Sequence, residues 1–92
     1  MNIAKPPGGF EVVLAPPVQA FVDNLFRDDP SLQRYWRPVM ARLRDAGHRA
    51  GGAMPGKPGQ RFATFQAAPD APRIKLAWHV MGDRVTVVLA DL

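Results

Sequence analysis

Apolar and polar positions recur with two different periods along this chain, and the change of period divides it. "GGFEVVLAPP" alternates like a strand: Phe10, Val12 and Leu14 share one face, glycines precede them and a proline pair ends them. Pro17 suits the first turn of a helix, where its missing N–H has no partner to lose. Val18, Phe21, Val22, Leu25 and Phe26 follow at i, i+3, i+4, i+7 and i+8, one apolar stripe on a helix near 17–27. "RDDPS" ends that helix, and Asp29 or Ser31 can cap the next. Leu32, Tyr35, Trp36, Val39, Met40, Leu43 and Ala46 repeat the spacing near 31–46, with Arg34, Arg37, Arg42 and Arg44 off the stripe. Pro38 removes the bond to the Arg34 carbonyl and predicts a kink. Gly47 is a natural C-terminal stop.

Beyond it the period becomes two. "GHRAGGAMPGKPGQ", residues 47–60, holds five glycines and two prolines and is expected to be a flexible loop. "RFATFQA" reads as a strand, with Arg61, Ala63, Phe65 and Ala67 on one face and Phe62, Thr64 and Gln66 on the other. "RIKLAWHVMGDRVTVVLADL" reads as a hairpin turning at Gly82-Asp83, with strands near 73–81 and 84–91. That turn pairs Val80 with Val85, Trp78 with Val87 and Leu76 with Leu89, all on the core side with Ile74. His79 then faces Thr86 on the opposite side, near Lys75, Met81 and Arg84. The predicted order is β-α-α-β-β-β. It makes an α+β domain, a two-helix hairpin packed on one face of a twisted antiparallel sheet. The expected core joins Phe21, Leu25, Trp36, Met40, Leu43, Leu76, Trp78 and Val87. The other sheet face is expected to be open and to gather Phe62, Lys75, His79 and Arg84.

Ninety-two residues make one domain, expected over 1–92 with a flexible stretch at 1–9. Such a chain buries roughly 60–65% of its unfolded surface, so one modest core must hold it. Cysteine is absent, which excludes a disulfide framework and a thiolate zinc site. No apolar run spans a bilayer, and "MNIAKPPGGF" has no signal-type apolar region, so the expected location is the cytoplasm, without a membrane partner. The net charge of +4 is uneven. Residues 1–33 carry two bases and four acids. Residues 34–61 carry Arg34, Arg37, Arg42, Arg44, Arg49, Lys57 and Arg61 against Asp45. Residues 62–92 balance three against three. A basic middle points to an acidic partner, nucleic acid or an acidic protein segment.

The chemistry open to the chain is narrow. Gly51 to Lys57 spells G-x-x-x-x-G-K, but Pro58 replaces the hydroxyl residue that would hold magnesium, and the segment follows a helix where a phosphate-binding loop follows a strand. His48 and His79 lie far apart with no carboxylate cluster beside either, so no metal or other cofactor is expected. Ser31 is the only serine and Glu11 the only glutamate, which leaves no hydrolase triad or obvious carboxylate pair. Positive charge, a histidine and aromatics remain. Arginine can offset charge that grows on a cleaving phosphodiester. Histidine can move a proton. A histidine on the polar side of a strand is also commonly a residue without a task.

The quoted segments resemble the RelE/ParE superfamily of toxins from bacterial type II toxin–antitoxin systems over about residues 9–91. "FEVVLAPPVQAFVDNL" is similar to the family's first strand and helix, "SLQRYWRPVMARLRDAG" to its second helix, and "PRIKLAWHVMGDRVTVVLADL" to its central hairpin, where Arg73 stands at a commonly basic position. The resemblance implies a twisted antiparallel sheet under a helix hairpin. It implies a toxin that acts on translation, through messenger RNA on the ribosome, or on gyrase, and that a cognate antitoxin neutralises. RelE-like members cut RNA without a metal, whereas ParE-like members are not nucleases. Phe62 and Thr64 stand where the nucleases often carry lysines, and the basic, aromatic segment that follows their last strand would begin at Leu92. If the chain is a nuclease, the catalytic candidates are Arg73, His79 and Arg84. Candidates for holding nucleic acid or a partner are Lys75, Phe62, Arg61, Lys57, Arg37 and Arg44. The alternative is a small basic binding module on the same fold, without chemistry.

Overall fold

The computed structural model describes residues 9–92. Its elements are β1 (Glu11–Leu14), α1 (Pro16–Asp28), a 3₁₀ turn (Pro30–Leu32), α2 (Gln33–Ala46), β2 (Gly52–Ala53), β3 (Gln60–Phe65), β4 (Ile74–Met81) and β5 (Arg84–Asp91). The stretch expected to be flexible, 1–9, lies outside the described residues except for Gly9, which is buried.

Local chemistry sets the helix boundaries. Proline stands in the first turn of α1. Of the two candidate caps for the next helix, Asp29 acts: its carboxylate accepts from the Ser31 N–H at 3.2 Å and from the Ser31 hydroxyl. The turn starts as 3₁₀ and becomes α-helical at Gln33. α2 is continuous through Pro38, so no break in the helix accompanies the lost hydrogen bond. Gly47 ends α2 for a different reason from the one expected. Its φ of −58° is right-handed, not the left-handed form of a glycine stop. A Cβ there would stand 2.6 Å from Val85 Cγ2 and from the Leu43 carbonyl oxygen. The glycine is needed for close approach of helix and sheet.

The sheet is mixed, in the order β1-β5-β4-β3-β2, which corrects the expected antiparallel arrangement. β2 through β5 pair antiparallel, but β1 lies parallel to β5, Val12 beside Val85 and Leu14 beside Val87. Parity explains it. α2 ends beside the start of β1, where the Phe10 N–H donates to the Arg44 carbonyl at 2.7 Å, and beside the start of β5, where Gly47 meets Val85. β3 therefore sets out from the same end as β1. Two reversals later β5 does too, so the two run the same way. The expected loop at 47–60 also contains an element, since β2 pairs Gly52 with Phe62 and Ala53 with Arg61.

Both helices cover one face of the sheet. Val18 and Val22 of α1, Trp36, Val39 and Leu43 of α2, and Ile74, Leu76, Trp78, Val85 and Val87 of the central strands form the buried cluster. Five of the eight expected core residues are buried, Phe21 and Met40 pack half-buried against the cluster, and Leu25 is half-buried on α1. Phe26 and Trp36 meet edge to face, ring centroids 6.0 Å apart, and seal the helix pair.

The β4–β5 hairpin follows the expected register from the turn to Trp78–Val87 and then departs from it. A bulge between Ala77 and Trp78 pairs Ala77 with Leu89 and Leu76 with Ala90. Val88 is the extra residue on β5, and every position after it changes face. Leu89 thus leaves the core and is 52% exposed. Ala90 takes its place under Phe21, Phe26 and Trp36, where the bulky rings leave room for a methyl group.

Trp78 is fully buried, and its indole N–H donates to the Gly47 carbonyl at 2.8 Å. Trp78→Ala is expected to destabilise the fold by about 3–5 kcal/mol in a denaturant titration. Trp78→Phe should cost about 1–3 kcal/mol more than hydrocarbon loss alone predicts, because the Gly47 carbonyl is left buried without its donor. A loss below roughly 1 kcal/mol for the alanine variant would contradict this packing.

Candidate functional site

The face away from the helices carries no other described element. Cross-strand pairing lays its side chains out in rows. Met81, Arg84 and Glu11 form one row across β4, β5 and β1. Gln60, His79 and Thr86 form the next. Phe62, Ala77 and Leu89 follow, then Thr64, Lys75 and Asp91. The bulge residue Val88 adds a further exposed apolar side chain, 44% accessible, next to Leu89. Phe62 is 47% exposed and its ring lies over Gly52, where a Cβ would touch three of its ring carbons. An apolar band thus crosses the middle of the face, and Met81, 69% exposed, stands at its turn end.

Of the expected open-face residues, Phe62, Lys75, His79 and Arg84 do share this face. His79 is half-buried against Gly59, whose absent Cβ would stand 3.0 Å from the imidazole Nε2. Arg84 is the diagonal neighbour of His79, a separation of roughly 7–8 Å for such a pair. Its guanidinium faces Glu11 at 3.8 Å, so part of its charge is already balanced. This exposed pair contributes at most about 1 kcal/mol. Arg73 immediately precedes β4 and stands six residues from His79, roughly 20 Å along a strand. The three catalytic candidates therefore do not converge on one reacting group.

The other candidates are dispersed. Arg37 and Arg44 lie exposed on α2, Arg44 beside Asp45 at 3.6 Å. Lys57 belongs to the turn between β2 and β3, at the end of the sheet. Arg61 stands on the helix side, next to Trp78 in the β3–β4 register. Its Nε donates to the Ala50 carbonyl at 2.7 Å, and one terminal nitrogen donates to Gly51 and Arg49 carbonyls at 3.0 and 3.2 Å. Three of its bonds are thus spent on the chain leaving α2, and its position is structural. The residues that sequence reasoning missed are Val88 and Leu89. The regular register paired Leu89 with Leu76 on the core side, and the bulge turns it outward beside Val88, which that reading left unassigned.

Among the described residues no three His, Asp or Glu side chains gather as a metal site. No helix is long and apolar enough to cross a membrane. The G-x-x-x-x-G-K segment runs from the end of α2 through β2 into a turn that leads to a strand, a setting unlike a phosphate-binding loop. In comparisons with known proteins, no family model, curated protein or solved structure matches the chain.

Arg61→Ala is expected to destabilise the protein by about 1.5–3 kcal/mol, the range for hydrogen bonds made by a charged group. Arg61→Lys should restore only part of this, because a point charge cannot serve three carbonyls in a fork. Thermal or chemical unfolding measures both. A wild-type midpoint for Arg61→Ala would remove the clamp from the account.

Proposed function

We propose that the chain is a RelE/ParE-like toxin component of a type II toxin–antitoxin system, and that it acts by binding a target and not by cutting RNA. The observation that carries this reading is the uncovered sheet face. A domain surface seldom presents Phe62, Val88 and Leu89 together without a use for them. Lys75, His79 and Arg84 flank that apolar band. Apolar surface bordered by charges of both signs, Lys75 and Arg84 beside Asp91 and Glu11, suits an amphipathic protein segment, the kind of chain with which an antitoxin would wrap a toxin. The two-helix hairpin over one sheet face agrees with what the family resemblance implies, although the sheet is mixed and carries the additional short strand β2. The separation of Arg73 from His79 weighs against a shared cleavage site. A nucleic-acid-binding module is the second reading, supported by the exposed arginines Arg34, Arg37, Arg42 and Arg44 of α2.

Inducible expression in bacteria tests the proposal. Growth should stop on induction and resume when a short neighbouring open reading frame is co-expressed. His79→Ala should leave the arrest unchanged, with no new cleavage products in messenger RNA. Phe62→Glu and Leu89→Glu should abolish capture of the antitoxin in a pull-down. Unimpeded growth of cells making the folded protein would overturn the toxin reading. Cleavage of ribosome-bound RNA that disappears with His79→Ala would replace binding by catalysis.

A further inference from the structure

A second feature lies on the other side of β3, at the end of the sheet. The turn between β2 and β3, the strand end at Val80 and the segment after α2 enclose an open cleft of about 530 Å³. That volume is within the roughly 300–1,000 Å³ typical of small-molecule sites. Its walls include Met54 and Val80, and its polar groups come from His48, Lys57, Gln60 and Arg61. None of the lining residues carries a carboxylate, so the cleft holds two permanent positive charges with no acid among its walls. The His48 ring is backed by Phe10, with centroids 5.1 Å apart.

The cleft is held in shape by its own backbone. Met54 N–H donates to the Gln60 carbonyl at 3.0 Å, Lys57 N–H to Met54 at 3.2 Å and Gln60 N–H to Lys57 at 3.1 Å. The Val80 N–H donates to the Gly59 carbonyl at 2.8 Å and fixes the turn to β4. Gly56 and Gly59 supply φ values of +73° and +79°, which other residues adopt only with strain. At Gly59 a side chain would also strike His79 and the Val80 carbonyl. The guanidinium of Arg61 is held by carbonyls and adds its charge from a fixed position.

We infer that this cleft binds a phosphate-bearing ligand of mononucleotide size, with Lys57 meeting the phosphate and the His48 and Met54 walls meeting the base. A flat base on an imidazole already backed by the tilted ring of Phe10 buries apolar surface, and the ammonium of Lys57 supplies a charge-assisted contact. The site differs from a phosphate-binding loop because no helix follows it. Apart from Gln60, which also stands in the His79 row, its lining residues are not those of the open sheet face, so its fate and that of the toxin reading are separable.

Amide chemical shifts of the full chain, titrated with adenosine monophosphate, adenosine and inorganic phosphate, test the inference. Saturable changes are expected at His48, at residues 53–60 and at Val80, with the monophosphate binding more tightly than either fragment. Lys57→Glu should weaken the monophosphate by roughly tenfold or more while keeping the wild-type melting temperature, since Lys57 is exposed. Arg27→Ala, on the exposed last turn of α1, should leave the affinity unchanged. A 5′-phosphorylated trinucleotide identifies the source of the phosphate. Tighter binding than the monophosphate assigns it to an RNA end, and weaker binding to a free nucleotide. The inference is overturned if adenosine binds as well as its monophosphate, if the shifts spread along the arginines of α2, or if Lys57→Glu binds like the parent.

Discussion

The indole of Trp78 holds the architecture together. It is buried at the centre of β4, and its N–H reaches across the layer boundary to the carbonyl of Gly47, where α2 ends. Beside it on β3, Arg61 binds the carbonyls of residues 49 to 51. Two neighbouring strand residues thus fix the stretch that carries the chain from the helix layer into the sheet layer. Helix-end carbonyls have no partner within the helix, and an unpartnered buried carbonyl is destabilising, so this is where a two-layer fold most needs donors. Gly47 completes the joint by allowing the backbone to come within contact distance of Val85.

Much else depends on that joint. It places the end of α2 beside the starts of β1 and β5, and this makes the two strands parallel. It also brings His48 and the β2–β3 turn together around a cleft. The covered face of the sheet is then committed to packing, and what remains for recognition is the opposite face and the end of the sheet. These two regions differ in chemistry. The open face is an apolar band edged by charges of both signs, since Glu11 and Asp91 stand in the rows of Arg84 and Lys75. The cleft carries the charges of Lys57 and Arg61, with no acid among walls that also include Met54 and Val80. A protein segment suits the first and a small anion the second, which is why they are assigned separate roles.

The β-bulge at Val88 illustrates how one added residue alters a surface. A regular ladder would have hidden Leu89 against Leu76 and left a thinner apolar band outside. The bulge puts Ala90 under the aromatics of α1 and α2 and turns Leu89 outward. Crowding in the core and the binding potential of the far face are therefore linked through the register of one strand. The proposed partner of the open face would meet side chains whose exposure is set by packing on the other side.

The sequence by itself determined both amphipathic helices, the three long strands, a cap at Asp29 or Ser31 and the Gly82-Asp83 hairpin turn, because each rests on local periodicity or on turn chemistry within a few residues. It also placed Phe62, Lys75, His79 and Arg84 on one face, since alternation along a strand fixes faces wherever the ladder is regular. Only the tertiary structure decided the parallel pairing of β1 with β5, which depends on where α2 ends in space. It alone turned Leu89 outward, because a bulge is a compromise with the residues packed above it. It alone diverted Arg61 from binding to clamping, as its carbonyl partners lie ten to twelve residues away in sequence. The glycine- and proline-rich stretch read as a flexible loop became one wall of a braced cleft for the same reason. Local bonds among Met54, Lys57 and Gln60 shape its turn, and Phe62, Arg61 and Val80, from outside the stretch, tie it to the sheet.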